Sequence, residues 1–293
     1  MWVLFAIISA VGLGFYDVMK KLSLKDNNVP LVLLLNTLFG TLLMSPVLVE
    51  CVAHGEYGPG QGAAGHLLIA LKSVIVLSSW ILGYFAIKHL PLTIQGPINA
   101  SRPVMVLVGA LLIFGERLNL MQWAGILLGF ASLFLISRVG SKEGFSFKHS
   151  KWLWMSIGAT CLGAVSALYD KYLLNTVGLA PLMVQGWYSL YQLVMMSVAV
   201  LILRRLHAGS GTPFHWSWAI IGISVFLTGA DIAYFYCLSD PEAMISIVSM
   251  IRRGSVLISF FYGVLILHEK NVKTKLLDLG ILLASLLLLV LGS

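Results

Sequence analysis

"MISIVSMIRRGSVLISFF", residues 244–261, is long and apolar enough to belong to a membrane span, yet it carries Arg252 and Arg253 side by side at its middle. Arg252 is the tenth of the 25 residues 243–267. At about 1.5 Å of helical rise per residue, that is near mid-membrane. A central arginine costs about 2.5–3.5 kcal/mol on insertion, and each Leu, Ile, Val or Phe returns about 0.3–0.6 kcal/mol. The thirteen such residues in 243–267 roughly offset the two arginines. The segment is therefore tolerable as a span only if its guanidinium groups meet water or partners inside a helix bundle.

The rest of the chain agrees. Of 293 residues, 59% are hydrophobic and 11% charged, with mean hydropathy +0.93. A soluble domain carries about 25% charged residues, and one of this length cannot hide so much apolar surface. An all-α, multi-pass membrane protein is expected. The net charge of +7 is scattered over short loops, with no basic domain to grip nucleic acid. Cys51, Cys161 and Cys237 have neither metal nor redox spacing, so no cofactor is implied. The opening "MWVLFAIISAVGLGFY" lacks a basic leader region and a small-residue cleavage site, and reads as a retained first span.

Ten apolar segments approach the required length of about 20 residues: 2–24, 31–53, 66–89, 92–114, 119–138, 151–174, 180–203, 216–238, 242–267 and 274–292. The central connection "RVGSKEGFSFKHSK" divides them, giving a first half at 1–140, a linker at 141–150 and a second half at 151–293. The halves echo one another. "GLGFYDVMKKLSL" matches "GAVSALYDKYLLN", pairing Tyr16-Asp17 with Tyr169-Asp170. "YFAIKHLPL" matches "YFYCLSDPE", and "FGERLN" matches "LHEKNV", pairing Glu116 with Glu269. Five is odd, so successive five-span halves enter the membrane from opposite sides. The expectation is ten transmembrane helices in two inverted five-helix repeats, with a site between them near the midplane.

These features resemble the drug/metabolite transporter superfamily, in its ten-span EamA-like branch. The residues that carry the resemblance are Pro103 to Glu116 within "RPVMVLVGALLIFGERLNLMQWAGILLGF", the following "GILLG", the second-half "HEK" and Lys20 at the end of span one. Val256 stands where the repeat would place a second proline opposite Pro103, and the family's arginine near the start of span two is absent. The resemblance implies transport of a small molecule by a protein of the bacterial inner membrane. It also implies termini inside the cell, as in many relatives. The positive-inside bias points the other way. Connections after odd-numbered spans hold thirteen Lys and Arg, against three on the opposite side. Both termini are therefore expected outside.

Arg102 aligns with Arg252 across the repeat, so both halves bring arginine towards the midplane. Ionisable residues inside a span mark functional sites by default, and guanidinium forks match carboxylate and phosphate groups. Adjacent helical residues diverge by about 100°, so one of Arg252 and Arg253 is expected to face a cavity and the other to pair with a neighbouring span. Asp231, within span eight, reads either as a proton-exchanging carboxylate or as the counter-charge of an arginine. Asp17 and Asp170 read as intrahelical partners of Lys20, Lys21 and Lys171, or as gating charges at the two mouths. Further substrate-contacting expectations are Asn36, Trp80, Tyr84, Gln95 and Asn99, together with Gln185 and Tyr188, which share a face with Gln192. The "GILLG" at Gly125–Gly129 serves packing within a protomer, or a homodimer contact. Glu116 and Glu269 read as anchors at span ends.

No G-x-x-x-x-G-K-[ST], H-E-x-x-H or G-x-S-x-G is present, so neither ATP-driven pumping nor catalysis by those motifs is expected. The expected activity is secondary transport of a small polar, anionic or zwitterionic metabolite by alternating access. The alternative is a flippase for an anionic lipid-linked substrate.

Overall fold

The computed structural model describes residues 1–24, 27–54, 62–89, 98, 101–139, 151–205, 212–255, 257–258 and 272–292. Within these, the side chains of residues 21, 54, 84–85, 87–89, 133–139 and 272–279 fall outside the description. In hydrocarbon every backbone N–H and C=O needs an internal partner, which a helix supplies along its own length. The long apolar runs accordingly fold as α1 (Trp2–Leu24), α2 (Val29–His54), α3 (Ala63–His89), α4 (Arg102–Ile113), α5 (Leu120–Val139), α6 (Lys151–Lys171), α7 (Pro181–Arg205), α8 (Ala219–Ser239), α9 (Ile245–Arg252) and α10 (Val272–Gly292). No strand occurs among the described residues. Six of the helices (α1, α2, α3, α6, α7 and α8) are long and apolar enough to cross a membrane by length and composition. Leucines such as Leu67, Leu112 and Leu127 point outward from the bundle, as lipid-facing residues do. The chain is an all-α membrane protein.

Two glycines set helix ends that matter for the site. Gly115 (φ +62°) follows α4, and the Glu116 N–H donates back to the Ala110 carbonyl at 3.3 Å. A Cβ at Gly115 would meet nothing within 4 Å, so the requirement there is backbone conformation and not space. Gly178 (φ +76°) plays the same part after α6, whose last turn widens into a π-helical turn at Tyr172–Thr176.

The stretch carrying Arg252 and Arg253 departs from the expected continuous span. The helix stops at Arg252. Arg253 and Gly254 form a turn in which the Arg253 N–H donates to the Met250 carbonyl at 2.9 Å and the Gly254 N–H to Ile251 at 2.8 Å. The physical reason lies in the residues themselves. The C-terminal end of a helix is the negative end of its dipole and favours cations, and glycine weakens helix continuation. A break at Arg252-Arg253-Gly254 thus places both guanidiniums at the most favourable end of a short helix.

The halves are interleaved. α1 packs on α8, α2 on α7, α3 on α6, α4 on α6 and α9, and α5 on α10. Close approach uses small residues and hydroxyls. A Cβ at Gly12 would lie 2.9 Å from Ala230 Cβ, and Ser9 Oγ donates to the Ala230 carbonyl at 2.8 Å. The G-x-x-x-G face of α5 meets α10 of the same chain, where Ser285 Oγ donates to the Gly125 carbonyl at 2.7 Å.

A Cβ at Gly125 would stand 2.8 Å from Leu289 and 3.1 Å from the Ser285 carbonyl. Gly125→Val therefore destabilises the α5–α10 seam by about 1–3 kcal/mol, read as a lowered unfolding midpoint in detergent. Gly280→Ala, where an added Cβ meets nothing within 4 Å, leaves the midpoint almost unchanged.

Candidate functional site

Between the halves lies a polar cavity of about 410 Å³. Its floor and walls come from α1 (Tyr16, Asp17, Lys20), α3 (Lys72, Ser79, Trp80), α6 (Thr160, Ser166, Asp170), α7 (Tyr188), α8 (Asp231, Tyr234, Phe235) and the α9 end (Ser249, Arg252, Arg253, Ser255), with Arg102 entering at the start of α4. Five cations and three carboxylates therefore share one hollow.

Arg252 is answered on two sides. Its Nη2 donates to Asp231 Oδ1 at 3.1 Å, and its Cζ sits 3.8 Å from the centroid of the Tyr234 ring. A desolvated guanidinium over an aromatic face adds attraction to the ion pair. Arg102 reaches from α4 to α6, where its Nη2 donates to the Gly163 carbonyl at 2.7 Å. Gly163 is small for this reason, since a Cβ there would stand 2.9 Å from Arg102 Cζ. Arg253 differs. Among the described residues it has no hydrogen bond or ion pair to its guanidinium, and its Nε is buried without a partner. Among the described residues, the charged groups that act on it are Arg102, Arg252 and Asp17.

At the inner end, Lys72 is almost wholly buried and forms a close ion pair with Asp170. Its Nζ also lies 4.5 Å from the Tyr188 ring centroid and 4.8 Å from that of Phe235. This corrects the intrahelical reading of Asp170 with Lys171. The two side chains leave α6 in different directions, about 100° apart, and each finds a partner from the first half. Lys171 pairs with Glu116 at 2.8 Å and donates to the Ala243 carbonyl at 2.9 Å. Glu116 is not a surface anchor. Its Oε1 accepts the Ile245 N–H at 2.6 Å, and its Oε2 accepts the N–H and hydroxyl of Ser246, so a carboxylate from the α4–α5 connection caps the start of α9. Glu269 lies outside the described residues.

Of the residues singled out from sequence, Arg102, Arg252, Arg253, Trp80, Tyr188, Asp17, Asp170 and Asp231 line this cavity. Asn36 does not. It is buried between α2 and α8, where Ser224 Oγ donates to its Oδ1 at 3.1 Å. Gln185 is buried away from the cavity lining, and among the described residues its Oε1 has no partner. Gln192 Nε2 ties α7 to the Ser73 carbonyl of α3 at 2.9 Å. Gln95, Asn99 and the side chain of Tyr84 lie outside the described residues. The sequence does not single out Lys72 or the hydroxyls Ser79, Thr160, Ser166, Ser249 and Ser255, all of which line the cavity. Lysine within "HLLIALKSVIVLSSW", nine positions after the start of α3, was the available signal. Among the described residues no group of three or more His, Cys, Asp and Glu is placed to hold a metal.

Residues 1–138 match the EamA-like transporter family. An uncharacterized transporter in the cobO 3' region of Sinorhizobium sp is 25% identical over 127 residues, which is 43% of this chain and 88% of that protein. A protein of known crystal structure aligns over 99% of this chain and 97% of its own, with TM-score 0.74 and 14% identity. At that identity the likeness shows the fold alone.

Removing one member of a buried ion pair leaves an uncompensated charge, at a cost of about 3–5 kcal/mol, while removing both is often close to neutral. Lys72→Met alone is therefore expected to destabilise the purified protein strongly, and Lys72→Met with Asp170→Leu to recover most of the loss. Chemical unfolding of the single and double variants in detergent checks this.

Proposed function

We propose that this chain is a membrane transporter of the EamA-like family, which its residues 1–138 match, and that the cavity carries a small polar, anionic or zwitterionic metabolite across the bilayer by alternating access. The observation that carries this reading is the charge of the hollow. Lys72 is bound to Asp170 and Arg252 to Asp231, while Arg102 has a carbonyl and Arg253 has no recorded partner among the described residues. Guanidinium groups in a low-dielectric site attract an anion far more strongly than they do in water.

The proposed architecture is ten spans in two inverted five-helix repeats, 1–140 and 151–293, joined by 141–150. The order of the sequence echoes supports it, and so does the packing. Exchanging each first-half helix for its counterpart turns the α1–α8 contact into the α6–α3 contact, while α2–α7, α4–α9 and α5–α10 map onto themselves. A midplane site between inverted repeats is the usual transporter arrangement. In this reading the cluster of Glu116, Lys171 and the α9 start closes the mouth beside the α4–α5 connection. The cavity then opens past Asp17 and Lys20 towards the α1–α2 connection. The Arg252–Asp231 bond favours Asp231 as fixed counter-charge over Asp231 as coupling proton carrier.

Arg252→Ala, Arg253→Ala and Arg102→Ala each lower anion flux in proteoliposomes at least tenfold while membrane insertion stays intact. Wild-type flux in all three variants overturns the reading. The Lys and Arg asymmetry places both termini outside, so external protease removes a C-terminal tag from intact cells. A fully protected tag reverses that orientation.

A further inference from the structure

The cavity's charge also bears on the charge of its cargo. The lining holds Lys20, Lys72, Arg102, Arg252 and Arg253 against Asp17, Asp170 and Asp231, an excess of two positive charges. The two tight pairs, Lys72–Asp170 and Arg252–Asp231, are each neutral. Lys20 and Asp17 lie three positions apart on α1, and each lines the hollow. The surplus therefore falls on Arg102 and Arg253. These come from opposite halves of the chain, and their like charges act on one another. Residues 84–101 and 256–268, which flank these arginines in sequence, contain no Asp or Glu to cancel the surplus.

Two guanidiniums without an ion pair of their own among the described residues share this hollow, and their like charges repel. A zwitterion would leave the surplus of two, and a monoanion would leave one. Resting on the anion reading above, we propose that the cargo is a divalent anion, a dicarboxylate or a phosphomonoester, whose charge is taken by Arg102 and Arg253. Each fork offers paired N–H donors to a carboxylate or phosphate edge. Arg252, already engaged by Asp231 and Tyr234, orients the site and is not the principal contact.

The test uses the purified full-length protein with a matched probe set: a monocarboxylate, a dicarboxylate, a phosphomonoester and a zwitterionic amino acid of similar size. Thermal stabilisation and proteoliposome flux are read for each. Wild type is expected to prefer a divalent probe at least tenfold over the monocarboxylate and the amino acid. The dicarboxylate and phosphomonoester arms, compared directly at about pH 8 where both carry close to two charges, separate the sources. Arg253→Gln is expected to abolish the divalent preference while monocarboxylate binding persists, and Arg253→Lys to retain it. Folding of each variant is checked by its unliganded unfolding midpoint. An equal or greater response to the monocarboxylate or the amino acid overturns the divalent assignment and leaves the anion cavity standing. No anion-dependent stabilisation or flux with any probe overturns both.

Discussion

A guanidinium held midway through a bilayer has to be answered by something, and the reply to Arg252 organises the structure around it. Asp231 and the face of Tyr234, both on α8, meet it together. Their helical spacing of three puts carboxylate and ring on one side of α8, facing the end of α9. The helix ending at Arg252 contributes the negative end of its dipole as well. None of these suffices alone for a charge that costs several kcal/mol to bury. Together they let the helix end at Arg252 with that charge answered, while the neighbouring Arg253 keeps a buried Nε without a partner among the described residues.

That break makes α9 a short rod of eight residues, about 12 Å long, held at both ends. Glu116 caps its first N–H groups and is itself held by Lys171. Arg252 and Arg253 project from its last turn into the cavity. A displacement of the Glu116–Lys171 cluster would move the arginines with the rod, because the residues between them are packed and buried. The cluster joins the first half to the second, and so does Lys72–Asp170. Buried ion pairs add little net stability but penalise misplacement strongly. They suit contacts that must be unique when formed.

The spans were legible because hydrocarbon imposes a length and forbids unpaired backbone, and a run such as 181–205 satisfies both from composition alone. The arginines at the cavity were legible for the converse reason, as charges standing where the environment penalises them most. Lys72 obeys the same logic but was hidden by its neighbourhood. One cation amid long apolar runs barely lowers a window average, and a topology count assigns it to the nearest loop. Asn36 and Gln185 were ambiguous by nature, since a polar side chain in a span can answer a neighbouring helix as readily as a cavity, and sequence does not record the rotation of the helix. The partners of Asp170 and Lys171 were illegible because they lie on α3 and the α4–α5 connection. Local spacing offers an intrahelical partner, and tertiary packing replaces it.

The proposed repeat also accounts for the lopsidedness of the hollow. In that repeat Asp17 and Asp170 would occupy matching positions, as would α3 and α8. Asp170 is held by Lys72 of α3. The mirror of Lys72, at an offset of 150 to 153 residues, falls among Gly222, Ile223, Ser224 and Val225 of α8, none of them cationic. Ser224 there turns to Asn36, and a Cβ at Gly222 would meet Met19 of α1 at 3.1 Å. Asp170 is thus held by a lysine beneath the Tyr188 and Phe235 rings, while in the proposed repeat Asp17 has no mirrored lysine to receive it. Within the proposed repeat, the absence of one lysine from the mirrored position is enough to make the contacts at the two ends unequal.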